Sequence, residues 1–427
     1  MALTRSNLGR LTEDFFWSAG IEDTFIVDPW PQTGRILDEY ELTGHYEKFR
    51  EDIQLMADLG VRIARYGVPW YRINPKPGKW DWSWADGPLE CLLQKGIEPI
   101  VDLVHYGVPG WIEGAFANPD FPERMSEYSA RLAARFRGRI HAYTPLNEPR
   151  ITAWYCGKLG WWPPYRRGWR GFVQLMLGIC RGIVKTVEAL HGVDPEILPV
   201  HVDATDLYET NEPDLQEEAK RRQEIVFLAL DLISGRIKEE HALLDWLLKM
   251  GVAEEELSWF QEHAVDLPMI GINLYPMYSR KVLVSTARGL KIRMPYSSAD
   301  IVSELADMYW RRYGRPLFIS ETASMGSIKR RRTWLETSVE AVKKVRERGV
   351  QLVGYTWWPM LAIVTWAYRQ GTRPPEFYLK QMGLWNVESS SEARLRRTQT
   401  PLVDLFQKLV ADGSEAAGKL AYKTKGV

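Results

Sequence analysis

Cysteine is scarce in this chain of 427 residues: Cys91, Cys156 and Cys180 are odd in number and widely spaced. With no CxxC pair and no Cys/His cluster, they exclude a disulfide framework and a zinc site, and they read as buried thiols. An excess of one charge is lacking too, since Lys+Arg and Asp+Glu both number 55. No global field then favours nucleic acid, an anionic membrane or a polyanionic partner. No run of about 18 apolar residues occurs, and Met1 to Gly20 carries no basic start followed by an apolar stretch of signal-peptide length. Both absences predict a cytoplasmic protein without a membrane span. No candidate strand is followed by a GxGxxG fingerprint, which argues against a dinucleotide cofactor, and no internal repeat or low-complexity stretch is found.

What is present suits a large buried core: 45% of residues are hydrophobic and 26% charged. Apolar runs of strand length alternate with amphipathic runs of helix length, and many of the latter end at a glycine. Candidate strands fall at 15–19, 61–65, 97–105, 139–147, 197–203, 267–275, 316–321 and 350–357. Helices are predicted at 45–59, 88–95, 123–137, 172–191, 299–313, 333–348 and 401–411; the first places Tyr46, Phe49, Ile53, Met56 and Leu59 on one face. Gly60, Gly96, Gly138, Gly192 and Gly349 serve as stops. Two or three further helices fill 212–262. Eight strands, each followed by a helical segment, predict an α/β fold, a single (β/α)8 barrel over 1–412, rather than a doubly wound sheet. The tail 413–427 is small, polar and expected to fray. Long loops at 149–170, 277–298 and 359–390 follow strands four, six and eight, on the rim where barrel active sites are built.

Two carboxylates stand at strand ends, in Leu146-Asn147-Glu148-Pro149 and Phe318-Ile319-Ser320-Glu321. A glutamate closing an apolar strand is costly unless it is paired, hydrogen-bonded or protonated. On strands four and seven of a barrel both face one mouth, and such a pair performs glycoside hydrolysis: one carboxyl protonates the leaving oxygen while the other attacks the anomeric carbon or activates water. The 19 tryptophans fit a sugar site, because sugar rings present apolar C–H faces to indole.

Over 15–366 these segments resemble glycoside hydrolase family 1, the β-glucosidase-like retaining enzymes of clan A. Pro145-Leu146-Asn147-Glu148-Pro149 resembles the family's TFNEP, which implies that Glu148 is the acid/base and that Asn147 binds the sugar 2-hydroxyl. Ile319-Ser320-Glu321-Thr322-Ala323 resembles ITENG and implies that Glu321 is the nucleophile. The stretch from Ala64 to Ile73 is similar to YRFSIAWxRI and puts Arg65 beside the nucleophile, keeping it ionised. Val104-His105-Tyr106-Gly107-Val108-Pro109 resembles YHWDLP, so His105 is expected at the sugar 3-hydroxyl. Gly271-Ile272-Asn273-Leu274-Tyr275 resembles GINYY, implying a Tyr275 hydroxyl on the nucleophile with Asn273 nearby. Trp358 corresponds to the tryptophan under the sugar, and its bond to Pro359 is expected to be cis.

The family's WSLLDNFEW aligns with Trp358 to Trp366, so its glutamate for the sugar 4- and 6-hydroxyls is replaced by Thr365. An N-terminal glutamine of the family has no clear counterpart, although Glu22 or Asp23 is in reach of the same edge. Glucose or galactose recognition is therefore not implied. Trp154, Trp161, Trp162, Tyr165 and Trp169 suggest an apolar aglycone platform. Lys329, Arg330, Arg331 and Arg332, with Arg166, Arg167, Arg369 and Arg373, would favour an acidic or phosphorylated sugar if they faced the mouth.

The resulting expectation is a retaining exo-β-glycosidase acting on a small glycoside by double displacement, with carboxyls about 5–5.5 Å apart, a raised Glu148 pKa, and no metal or cofactor. A transglycosidase would use the same glutamates with a water-poor acceptor site. A noncatalytic sugar-binding relative would have no need of an ionised nucleophile.

Overall fold

Eight parallel strands form the staves of a closed barrel: β1 (Phe16–Ile21), β2 (Ile63–Gly67), β3 (Glu98–Asp102), β4 (Ala142–Thr144), β5 (Leu198–Ala204), β6 (Met269–Asn273), β7 (Leu317–Thr322) and β8 (Leu352–Trp357). The computed structural model describes residues 2–11, 14–389 and 395–418. Each stave pairs with the next, and β8 returns to β1 in the register Phe16 to Gly354 and Ala19 to Trp357. The (β/α)8 expectation is met.

The staves are buried along almost their whole length because helices cover them outside and side chains fill them inside. Ile63, Ile100, Ala142, Val200, Met269, Phe318 and Val353 form the inner cluster, which Leu3 joins. Leu3 is fixed there by its backbone N–H on the Glu98 carboxylate at 3.0 Å. The surrounding helices are α1 (His45–Asp58), α2 (Ser83–Gln94), α3 (Phe121–Arg135), α4 (Gly168–Val193), α5 (Gln216–Ile233), α6 (Asp300–Tyr313), α7 (Ile328–Glu347) and α8 (Pro401–Ala411). In α3 the spacing of Phe121, Met125, Tyr128 and Leu132 gives one buried stripe, which packs on α4. Segment 212–262 is helical, as expected, with Leu244–Lys249 and Glu254–Glu262 following α5.

Several expectations need correction. Gly192 does not stop α4, which runs through it to Val193. The strands expected at 97–105 and 139–147 leave the ladder at Asp102 and Thr144, because the residues beyond turn toward the mouth. They remain anchored, Asn147 N–H to Val104 O at 2.9 Å and Glu148 N–H to Val202 O at 3.0 Å. The loop after β6 contains an unforeseen hairpin, Arg280–Thr286 against Gly289–Arg293, extended by Leu207–Glu209. Its lysines and arginines hide the alternation of a ribbon in which only Leu283 is buried. The loop after β4 folds into the short helix Pro149–Ala153 and a π-helical turn, Trp154–Leu159.

Of the tail expected from Gly413, residues 413–418 are described. Ser414–Ala417 is a helical turn packed on α7 with Ala417 buried, and Arg346 donates to Gly418 O at 2.8 Å. The remainder of the expected frayed segment, 419–427, lies outside the described residues. Among the described residues no helix is long and apolar enough to cross a membrane.

Candidate active site

Glu321 projects from β7 where the ladder to β6 slips one residue, between Ile319 and Glu321. Such a bulge re-aims a side chain, and here it turns the carboxylate into the mouth. The Ser320 hydroxyl inside the bulge donates to Asn273 Oδ1 at 2.6 Å. Arg65 on β2 sits beneath as a fully buried hub. Its Nη1 donates to Glu321 Oε1 at 2.7 Å and to Ser320 O at 3.2 Å; its Nη2 donates to Asp102 Oδ2 and Asn147 Oδ1, both at 3.1 Å. Glu22 Oε1 lies 2.7 Å from Nη1, an ion pair outside hydrogen-bonding geometry. Burial opposes the guanidinium charge, but Glu22, Glu321 and Asp102 outweigh it and hold Arg65 protonated well above the usual range. The other oxygen of Glu321, Oε2, accepts the Tyr275 hydroxyl at 2.7 Å.

Glu148 occupies the left-handed region, φ 48° and ψ 65°, immediately before the helix Pro149–Ala153. A non-glycine residue there costs on the order of 1–3 kcal/mol and persists only where the surroundings impose it. Here its carbonyl accepts the Thr152 N–H at 2.9 Å and the Thr152 hydroxyl at 3.1 Å. Its carboxyl accepts Asn273 Nδ2 on Oε1 at 2.8 Å and the Tyr106 hydroxyl on Oε2. Burial, then the negative charge of Glu321, pushes the Glu148 pKa up to about 8, against the pull of these two hydrogen bonds. At neutral pH the site thus offers a protonated carboxyl beside one whose oxygens are committed to Arg65 and Tyr275. That is the pairing a general acid and a nucleophile require.

Both glutamates line one cavity of about 330 Å³, together with Asn273, Tyr275, Trp358, Thr365 and Trp366 from the sequence-derived set. Arg65, Asn147, His105 and Glu22 stand behind this wall. The ring of His105 lies between Asp102, 2.9 Å from Nδ1, and Asn147, 3.2 Å from Nε2. Its neighbour Tyr106 takes the cavity position. Glu22 is fully buried against Arg65, and Asp23 forms the wall instead. The Trp358–Pro359 bond is cis. The Trp358 indole donates to Glu22 O at 2.8 Å and that of Trp366 to Thr24 Oγ1 at 3.0 Å, so both rings present faces rather than free N–H groups.

The expected aglycone platform is displaced. None of Trp154, Trp161, Trp162, Tyr165 and Trp169 lines the cavity. Trp154 and Trp169 pack edge-on against Phe172 of α4, and Trp162 stacks behind Tyr155 at 4.5 Å. Tyr155, Tyr278, Ile151 and Met294 provide apolar lining in their place. None of Lys329, Arg330, Arg331, Arg332, Arg166, Arg167, Arg369 and Arg373 lines the cavity either. Arg331 is buried on Gly383 O and Asn386, Arg332 pairs with Glu336, and Arg369 is buried on Asp28 O and Trp161 O. Lys281 is the one cation on the described wall, against Asp23, Glu39, Asp206 and the two central glutamates.

Sequence reasoning missed Tyr106, Asp102, Ser320 and Glu39. Asp102, three residues before His105 at the end of a strand, carried the same signal as the glutamates. Glu39 carried none.

The family model for glycosyl hydrolase family 1 matches residues 18–231. Beta-glucosidase 47 of Arabidopsis thaliana is 23% identical over 413 residues, covering 83% of this chain and 73% of that protein. The bifunctional beta-D-glucosidase/beta-D-fucosidase of Bifidobacterium breve is 24% identical over 443 residues, covering 90% and 89%. The family 1 β-glucosidase from Thermotoga maritima superposes with a TM-score of 0.80 at 19% identity, covering 95% of this chain and 98% of that one, a likeness of fold. The chain belongs to glycosyl hydrolase family 1 and is a glycoside hydrolase.

Proposed function

We propose that the protein is a retaining exo-β-glycosidase working by double displacement, with Glu321 as nucleophile and Glu148 as acid/base. The observation that carries this reading is the asymmetric setting of two buried carboxyls in one cavity. Glu321 is held by Arg65 and Tyr275, and Glu148 is pushed up to about 8 by burial and by Glu321 itself. In the first step a Glu321 oxygen attacks the anomeric carbon while Glu148 passes its proton to the departing glycosidic oxygen. Esterification then removes the Glu321 charge, and with it one of the causes holding the Glu148 proton. Glu148 is left the stronger acid, hence ionised and able to take a proton from water as it attacks the ester.

Arg65 and Tyr275 support the ionised nucleophile, and Asn147, Asn273 and His105 form the polar shell around it. Trp358, Trp366 and Thr365 bound the sugar. Because Thr365 stands where the family's sequence pattern has a glutamate, sugar selection departs from the ordinary gluco and galacto pattern. The three cysteines are free, which fits a reducing, cytoplasmic setting.

The test has two parts. A 2-deoxy-2-fluoroglycosyl fluoride should label Glu321, read by peptide mass spectrometry, and NMR should find the first-formed sugar with β configuration. An α product, or a label elsewhere, would overturn the assignment. Added alcohol or sugar acceptors report any transfer activity through new glycosides.

A further inference from the structure

Away from the two catalytic glutamates, the cavity wall carries two further carboxylates that no ion pair accounts for. Glu39, first residue of the short helix Glu39–Leu42, is 1% exposed, and its Oε2 accepts the Val364 N–H at 2.9 Å. Asp23, 8% exposed, accepts the Thr24 N–H on Oδ1 at 3.1 Å. Among the described residues the second oxygen of each has no partner, and neither group pairs with a lysine or arginine. The Glu39 backbone N–H bonds Thr24 O at 3.1 Å, so the two acids are carried on adjoining, mutually fixed segments. Thr24 also receives the Trp366 indole, and Val364 precedes Thr365, which places both acids on the wall shared with Trp366 and Thr365.

Neither free oxygen is fully enclosed by protein, so both remain open to a donor in the cavity. Burial pushes both groups up, assisted for Glu39 by the Asp23 charge and for Asp23 by that of Glu321. Two acceptors side by side on a sugar-sized cavity are matched by two hydroxyl donors on one edge of a ring. Burial already disfavours charge on both, so a phosphate or carboxylate there adds charge where the wall resists it, and among the described residues Lys281 is the one cation on the wall.

We propose that Asp23 and Glu39 are specificity-determining residues that together hold two hydroxyl groups of a neutral glycone on the edge away from the breaking bond. This rests on the glycosidase reading above. Glu39 supplies, from a segment remote in sequence, a carboxylate to the wall where Thr365 offers only a hydroxyl.

The experiment measures kcat/KM for the fastest of a panel of 4-nitrophenyl β-glycosides of different neutral sugars, for its deoxy analogues at each ring hydroxyl away from the anomeric centre and for its 6-phosphate. The enzymes are the wild type, Glu39→Gln and Asp23→Asn, with thermal unfolding followed for each. Leaving a buried carboxyl without its hydroxyl partner corresponds to roughly a 10- to 100-fold effect. Glu39→Gln should therefore lose about that factor on the parent sugar and much less on the one deoxy analogue lacking its partner hydroxyl. Asp23→Asn should do the same with a different analogue, and the 6-phosphate should be rejected by the wild type.

Equal losses on the parent and on every analogue would show a purely structural role and overturn the proposal, as would turnover of the 6-phosphate at the parent's rate. If a variant does not fold, the wild-type series decides: no deoxy analogue slower than the parent by tenfold sinks the idea. Failure of the glycosidase reading itself is distinct, because no substrate would then be cleaved and no fluorosugar would label Glu321.

Discussion

Tyr106 donates its hydroxyl to Oε2 of Glu148 from a backbone held at φ 66°. That bond favours the ionised carboxyl, so it lowers a pKa that burial and Glu321 raise. For the glycosylation step Glu148 must be protonated, and kcat/KM should fall as pH rises through about 8. Tyr106→Phe removes the donor and should move this alkaline limb upward by about one unit. A pH–rate profile in which the limb stays fixed, or moves down, would show that the phenol does not tune the acid.

Glu148→Gln separates activity from stability. On glycosides with poor leaving groups it should lose more than about a hundredfold in kcat/KM, and far less on a dinitrophenyl glycoside, whose leaving group needs no proton. Its folded pKa of about 8 exceeds the ordinary carboxyl value of 4.5. Below about 4.5 the group is protonated folded or unfolded and has no effect. As pH rises from there to about 8, the unfolded chain ionises first and native stability is lost. The glutamine variant should therefore be the more stable protein at neutral pH, by on the order of 2–3 kcal/mol. Urea unfolding should show the gap opening between pH 5 and 8 and constant beyond.

Arg65→Met leaves Glu22, Asp102 and Glu321 without their shared cation. Removing one partner from a buried ionic cluster costs roughly 3–5 kcal/mol, so a drop of that size in denaturant unfolding is expected. Arg65→Lys keeps the charge but cannot bridge Glu321 on one nitrogen and Asp102 and Asn147 on the other. It should retain most of the stability while losing kcat. A lysine variant as active as the wild type would contradict the two-sided role of the guanidinium.

Gly107→Ala tests how Tyr106 is delivered to the cavity. A Cβ at Gly107 would fall 1.6 Å from the Phe25 carbonyl oxygen, a backbone atom with no freedom to step aside. The loops after β1 and β3 would have to separate, at a cost of about 1–3 kcal/mol or more. The melting temperature should fall, and kcat with it. Unchanged values for both would mean that the two loops do not depend on this contact.

The barrel was legible because its periodicities are long and consistent: eight apolar runs, amphipathic helices such as α3, and glycine stops such as Gly60. The hairpin after β6 was not, since a ribbon that buries Leu283 alone has too little core to enforce alternation. Glu148 and Glu321 showed themselves as acids where a strand should be apolar. Glu39 gave no such sign, because only the tertiary fold brings it to Val364, more than three hundred residues away. The aromatic loop misled for the same reason. In sequence Tyr155 and Trp154 look equivalent, and only the π-helical turn decides that the tyrosine lines the cavity while the tryptophan packs on α4.

In the proposed mechanism the groups nearest the breaking bond, Arg65, Glu148, Tyr275 and Glu321, all stand on or just beyond barrel staves. The wall with Asp23, Glu39 and Thr365 comes from two stretches, 22–39 and 363–366, that lie past the ends of β1 and β8. Reactivity and choice of sugar are thus written in separable text. A lineage is free to revise its diet by editing those two stretches while it inherits the reaction unaltered.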